Sequence, residues 1–306
     1  MSNSTNSNAN SNSMTPDELD ALLAAEEKRR EEDEDGEAGF SGQSVKILRR
    51  AAQVGGGVFM RAAVGNANQA VVKRRVFSLV IALDASGSMG DDRADVVDGL
   101  NHMVSDLKTA AEADKTEVTI WLFNTNRAWL MEVGGVEINN VPLKSMPTFT
   151  LQDYQPSGTT PLYKTILVAL GAASMRGVKL LNGIQGNRAA QTTYFVVISD
   201  GQNTLDHESI GNQLYTYTAD EIKTLVQDLA RREDTILAYL NAGDETTAEI
   251  EAKRLGFPIH QELDAATGYK GLFGFVSSSS KVVSAAPNAS QAAQSVKKLG
   301  GGFVQP

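Results

Sequence analysis

From Val76 to Leu83 the chain runs through an almost unbroken series of apolar, largely branched residues. Such a run predicts a strand buried on both faces, as in a parallel sheet. Thr193 to Ser199 and Thr235 to Asn241 repeat the pattern. Glu117 to Phe123 and Arg127 to Val133 read as two further strands, and Pro258 to Leu263 as a short edge strand. Between them the period changes. Val97, Leu100, Val104, Leu107 and Ala111 recur at three and four, which predicts a helix over Ala94 to Ala113. Pro161 to Met175 is expected to be helical, with proline in its first turn. Ala219 to Arg231, Thr246 to Leu255 and Ala265 to Ser280 complete the predicted helices. Alternating apolar strands and amphipathic helices predict an α/β fold whose sheet is covered on both faces. The stretch Arg176 to Gln191 finds no place in this scheme.

The ends of the chain follow other patterns. Residues 1–13 are mostly Asn and Ser. Thr15-Pro16-Asp17-Glu18 then offers an N-cap, a proline at the first helical position and an acid three residues after the cap. Leu19, Leu22 and Leu23 fall on one helical face, and the run to Glu37 is mostly charged. Residues 1–40 hold eleven acidic and three basic side chains. They are expected to form a disordered acidic tail with a short amphipathic helix, removable without loss of the fold. Residues 41–73, with Gly55-Gly56-Gly57, many alanines and several Lys and Arg, read as a basic linker or an extension of the domain edge. The domain proper is expected over 74–285. Residues 286–306, with Gly300-Gly301-Gly302, read as a flexible C-terminal tail.

Composition narrows the chemistry. The 306 residues include no cysteine, which removes disulfides, thiolate metal sites and cysteine nucleophiles. The net charge of −9 gives no footing for nucleic acid. No segment is apolar for long enough to cross a bilayer, and no secretory signal opens the chain. A cytoplasmic protein is expected.

The chemistry gathers at strand ends. The first strand runs into Asp84-Ala85-Ser86-Gly87-Ser88, and the Thr193 strand runs into Asp200-Gly201. In open α/β sheets ligands bind beyond the carboxyl ends of the strands. Neither aspartate can lie in a dry interior without a partner, and a cation between them would satisfy both. Ser86 and Ser88 add hydroxyls at alternate positions. An all-oxygen donor set favours a hard cation, Mg²⁺, Mn²⁺ or Ca²⁺.

Asp84-Ala85-Ser86-Gly87-Ser88 resembles the Asp-x-Ser-x-Ser motif of von Willebrand factor A (vWA) domains. Ser157-Gly158-Thr159-Thr160-Pro161-Leu162 is similar to the second loop of their metal-ion-dependent adhesion site, and Ile198-Ser199-Asp200-Gly201 to the third. The resemblance covers residues 74–285 and is closest to bacterial intracellular members such as those associated with tellurium resistance. It implies a Rossmann-like vWA fold with a mostly parallel central sheet and one antiparallel edge strand. It implies a metal set of Asp84, Ser86, Ser88, Thr160 and Asp200, holding Mg²⁺ (or Mn²⁺), with the hydroxyls bound directly and the aspartates acting mainly through water. Thr159 stands where the family pattern has glycine, so either Thr159 or Thr160 could serve; Thr160, directly before Pro161, is preferred. The implied role is a cation-dependent grip on an Asp or Glu carboxylate of a partner protein, such as an AAA+ ATPase or a stress-system protein.

Two other readings stand beside it. One is a scaffold that recruits partners through residues 1–40, independently of metal. The other is a metal-dependent hydrolase. The second lacks a partnered base: the histidines are His102, His207 and His260, and Ser88 is not framed as Gly-x-Ser-x-Gly. No catalytic residue is assigned.

Overall fold

The computed structural model describes residues 13–33, 39–65, 75–125, 127–182, 190–201, 203–210, 212–232, 234–243, 245–262, 267–286 and 289–299. Two helices lead, α1 (Pro16–Glu32) and α2 (Gly42–Val64). Then come β1 (Arg75–Asp84), α3 (Arg93–Lys108), β2 (Thr116–Asn124) and β3 (Arg127–Leu130). Three two-residue strands follow, β4 (Glu132–Val133), β5 (Val136–Glu137) and β6 (Val141–Pro142). The chain continues through α4 (Leu162–Asn182), β7 (Ala190–Ser199), the hairpin of β8 (His207–Ile210) and β9 (Gln213–Thr216), and α5 (Ala219–Ala230). It ends with β10 (Thr235–Asn241), α6 (Glu245–Arg254), β11 (Ile259–Glu262), α7 (Gly268–Ala285) and α8 (Ala289–Leu299).

The main sheet has the order β11-β10-β7-β1-β2-β3. β1 runs parallel to β2 and β7, and β10 parallel to β7 and β11. β3 and the short β6 both lie antiparallel to β2, so the antiparallel edge has two pieces where one strand was expected. The predicted α/β class with a mostly parallel sheet is the observed one. Alternate residues along each central strand feed different layers. Val80, Ala82, Phe195 and Val197 join a core beneath α1, α2, α4, α5 and α6. Leu79, Ile81, Val196 and Ile198 join a core beneath α3, α7 and α8. Burial on both faces is why these strands show no polar alternation in sequence.

The order of the sheet positions the site. From β1 the chain steps to β2 on one side, and it later returns through β7 on the other side of β1. The strand order therefore reverses between β1 and β7, and a crevice opens beyond their carboxyl ends. Asp84 ends β1 and Asp200 directly follows β7.

Three expectations about the ends of the chain need correction. The acidic segment is folded from Met14 to Asp33. Thr15 and Glu18 form the predicted reciprocal cap, with Thr15 N donating to Glu18 Oε2 at 2.9 Å and Glu18 N to Thr15 Oγ1 at 3.2 Å. Leu19 and Leu23 are buried in the core shared with α2 and α4. Residues 1–12 and 34–38 lie outside the described residues. Second, of the two readings of residues 41–73 the linker gives way to the extension of the domain, since Gly42–Val64 is the helix α2, packed along α4. Gly55 serves that packing, since a Cβ there would stand 2.7 Å from Val168, while Gly56 takes φ 51 at a kink. Third, the expected C-terminal tail contains α8, with Ala292 and Val296 buried against the sheet side. Part of the unplaced stretch, Arg176 to Asn182, extends α4. Residues 183–189 lie outside the described residues. No helix among the described residues is long and apolar enough to cross a membrane.

Candidate metal centre

Three loops build the site. The first leaves β1. Asp84 is fully buried, and both of its oxygens accept hydrogen bonds: Oδ1 from the Ser86 amide at 2.8 Å, Oδ2 from the Ser199 hydroxyl at 2.6 Å. These neutral donors do not replace lost hydration. Burial pushes the Asp84 carboxyl up to about 6, and the nearby Asp200 charge pushes the same way. Ser86 is buried and Ser88 exposed, and their hydroxyls meet at 3.0 Å. The alternation expected from sequence thus places Asp84, Ser86 and Ser88 in one chain of contacts.

The second loop is clamped to the first. Gly87 N donates to Gly158 O at 2.9 Å, and Ser157 N donates to Ala85 O at 2.8 Å. Gly158 has φ 72, and a Cβ there would fall 1.9 Å from Thr125 Oγ1. Glycine is therefore required on both conformational and steric grounds. The two candidate threonines diverge. Thr159 is exposed, its hydroxyl donating to Thr125 O at 3.1 Å, while Thr125 N donates to Thr159 O at 2.7 Å. Thr160 is buried, and its Oγ1 lies 3.5 Å from where a Cβ on Gly201 would stand. Thr160 faces the third loop; Thr159 faces away, toward the β2–β3 turn.

The third loop follows β7. Asp200 is half-buried, and its Oδ1 is enclosed without a hydrogen-bond partner among the described residues. The loop after β10 presses on it. Ala242 N donates to Ser199 O at 3.0 Å, and a Cβ on Gly243 would fall 2.3 Å from Asp200 O. The Thr160 amide donates to the Thr204 hydroxyl at 2.8 Å, which ties the second loop to the third.

Three residues that sequence reasoning gave no role hold this arrangement. Ser199 links Asp84 to the β7 end. Tyr154, fully buried, donates from its hydroxyl to Asp84 O at 2.5 Å. Tyr269, at the start of α7, approaches Met89 Sδ at 3.4 Å and Asp92 Oδ2 at 3.3 Å. Both tyrosines are held well above the usual phenol range by burial. Their signal in the sequence, a lone Tyr in a loop and another in an apolar helix, does not distinguish them from core residues. Of the histidines, His102 is exposed on α3, His207 is exposed at the start of β8, and His260 is on β11.

A divalent cation fits what is here in one definite respect. The donors are two carboxylates and three hydroxyls, and Asp200 Oδ1 is an enclosed anionic oxygen without a donor. Among the described residues no group of three or more His, Cys, Asp or Glu side chains is arranged for a metal, so any ion must rely on the hydroxyls.

No known family's sequence profile matches the chain, and no curated protein matches it. Solved structures do resemble it. One is the PilB minor pilin from Streptococcus sanguinis, at 12% identity and TM-score 0.45, covering 70% of this chain and 63% of the pilin. A von Willebrand factor type A protein from Catenulispora acidiphila is similar at 13% identity and TM-score 0.39, covering 68% of this chain and 43% of that one. The N-terminal domain of TFIIH p34 is similar at 16% identity and TM-score 0.40, covering 66% of this chain and 96% of the domain. The chain thus spans less than two thirds of the pilin and of the Catenulispora protein. At this level of likeness nothing about activity passes from them to this chain.

Proposed function

We propose that the chain is a divalent-cation-dependent protein-binding module of the vWA type. What supports the reading is the row Asp84–Ser86–Ser88 where the strand order reverses, with Thr160 beside Gly201 and, among the described residues, Asp200 Oδ1 enclosed without a hydrogen-bond partner. Ser86, Ser88 and Thr160 would hold Mg²⁺ or Mn²⁺ through their hydroxyls, and Asp84 and Asp200 would balance its charge mainly through water. The ion supplies an electrophilic position that an Asp or Glu of a partner protein can complete. A partner's amide would gain much less there, because it brings no charge into the partly dry crevice.

The test is partner capture in Mg²⁺ against EDTA, with calorimetric titration of Mg²⁺ into the protein alone. Wild type should bind the ion, and the Asp84→Ala variant should remain folded by circular dichroism without binding it. Mn²⁺ should replace Mg²⁺, and Ca²⁺ should do worse because it prefers more ligands at longer distances. Capture that persists fully in EDTA would sink the reading. A role for residues 1–40 as a free recruiting tail is disfavoured, because Leu19 and Leu23 of α1 are buried against the chain's own α2 and α4.

A further inference from the structure

A groove lies between α2 and the β8–β9 hairpin, with a cavity volume of about 440 Å³. That size is within the range of pockets that take a ligand or a short chain segment. None of the five residues of the metal centre lines it. One wall is cationic: Lys46, Arg49 and Arg50 lie at i, i+3 and i+4, on one face of α2. Arg50 is fixed, paired with Glu221 at 2.9 Å and stacked over Tyr215 and Tyr217. Lys46 is exposed and Arg49 half-exposed. Arg49 already receives one carboxylate, that of Asp20 on α1, at 2.8 Å.

The opposite wall is β9, and all four of its residues line the groove. In the hairpin register Leu214 and Thr216 lie on the face of Ser209 and His207, while Gln213 and Tyr215 lie on the face of Ile210 and Glu208. A cavity lined by residues of both faces runs along the strand's edge. Among the described residues β9 pairs only with β8, so its other edge is a row of backbone donors and acceptors of the kind that accepts an added strand. Leu214 is 63% exposed beside that edge. The hairpin is anchored to the body of the fold, where Glu208 pairs with Lys164 of α4 at 2.6 Å with both side chains largely enclosed.

We propose that this groove binds an extended acidic segment of a partner protein, which adds as a third strand to β9 and sets carboxylates against Lys46 and Arg49. The main-chain edge selects an extended peptide, and the α2 wall selects its charge. The chain's net charge of −9 leaves this a local attraction that suits a short acidic segment rather than a long polyanion. The groove acts independently of the cation, so its test separates from that of the metal site.

The experiment is fluorescence anisotropy on the full chain in EDTA, with a labelled short peptide of alternating threonine and glutamate as the probe. It should bind, and it should bind at least about tenfold more weakly when alternate backbone amides of the probe are methylated, which removes strand pairing without touching charge. The double variant Lys46→Glu/Arg49→Glu should weaken it by a similar factor. A threonine–lysine peptide should not bind. No binding of the threonine–glutamate probe at millimolar protein, or equal binding of its methylated form, would overturn the proposal. So would tighter binding of a single-stranded oligonucleotide, which would make the groove a patch for polyanions.

Discussion

Two of the places where this molecule buries carboxylates differ in the cations they bring. Where α1 meets α5, the chain brings its own cations. Glu26, only 3% exposed, lies 2.9 Å from Arg29 and 3.7 Å from Arg232. Arg232 also takes Asp234 at 2.7 Å and stacks over Phe40, and Arg30 reaches Asp228 at 3.6 Å. Burial alone would raise the Asp234 carboxyl, and Arg232 overrides this and holds it below the usual range. At the end of β1, Asp84 is at least as enclosed but has a serine hydroxyl and a backbone amide for company, and the charge acting on it is that of Asp200. A buried carboxylate with a guanidinium beside it is a closed structural device. A pair without one is a site that an external cation can complete.

The difference can be broken from either side. The largest effect should come from deleting residues 1–40, which removes Leu19, Leu23, Glu26 and Phe40 together and strips Arg232 of a partner. The unfolding midpoint should fall by several degrees, at about 2–4 °C for each kcal/mol lost. An unchanged melting curve would mean that α1 does not pack in solution. Next, Arg232→Ala should cost roughly 3–5 kcal/mol in urea unfolding, because it leaves Glu26 buried with one cation fewer and takes the paired guanidinium from the half-buried Asp234.

The candidate metal centre should respond with the sign opposite to that of Asp234. Asp84 has its carboxyl raised from 3.8 to about 6, so the metal-free folded state binds this proton more tightly than the unfolded chain does. The contribution is therefore present below about pH 4 and is lost as pH rises through about 6, by at most about 3 kcal/mol. In EDTA, Asp84→Asn should flatten that part of the pH–stability profile. A profile that keeps its slope would assign the titration elsewhere. The smallest effects distinguish the threonines. Thr160→Ala should reduce the stabilisation that Mg²⁺ gives in thermal melts, whereas Thr159→Ala should lose about 1 kcal/mol or less, from its bond to Thr125, and leave the Mg²⁺ response intact.

Much of this was legible in the sequence because it is local. Strands buried on both faces announce themselves as apolar runs, and the ends of β1 and β7 carry Asp84 and Asp200 within a few residues of them. That α1 and α2 pack into the core was not legible, for a non-local reason. Leu19 and Leu23 look too few to fold a charged segment, and they are too few alone; α2 and α4 supply the rest of the surface. Gly55-Gly56-Gly57 reads as a breaker until Val168 is seen pressed against Gly55. The β8–β9 hairpin has no apolar run to announce it, because its stabilising contacts, Lys164 to Glu208 and Arg50 against Tyr215 and Tyr217, are distant in the chain. Ser199 and Tyr154 act on Asp84 through single hydrogen bonds, which leave no pattern in the sequence.

The two backbone bonds that join the first and second loops, Gly87 N to Gly158 O and Ser157 N to Ala85 O, have a consequence on the clock of solvent exchange. Amides in connecting loops ordinarily trade their hydrogens quickly. These two can do so only when the loops part, so their deuteration should be slow and matched in rate. Each exchange event would then report one opening of the crevice, and the free energy of that opening could be read from two residues far apart in the chain.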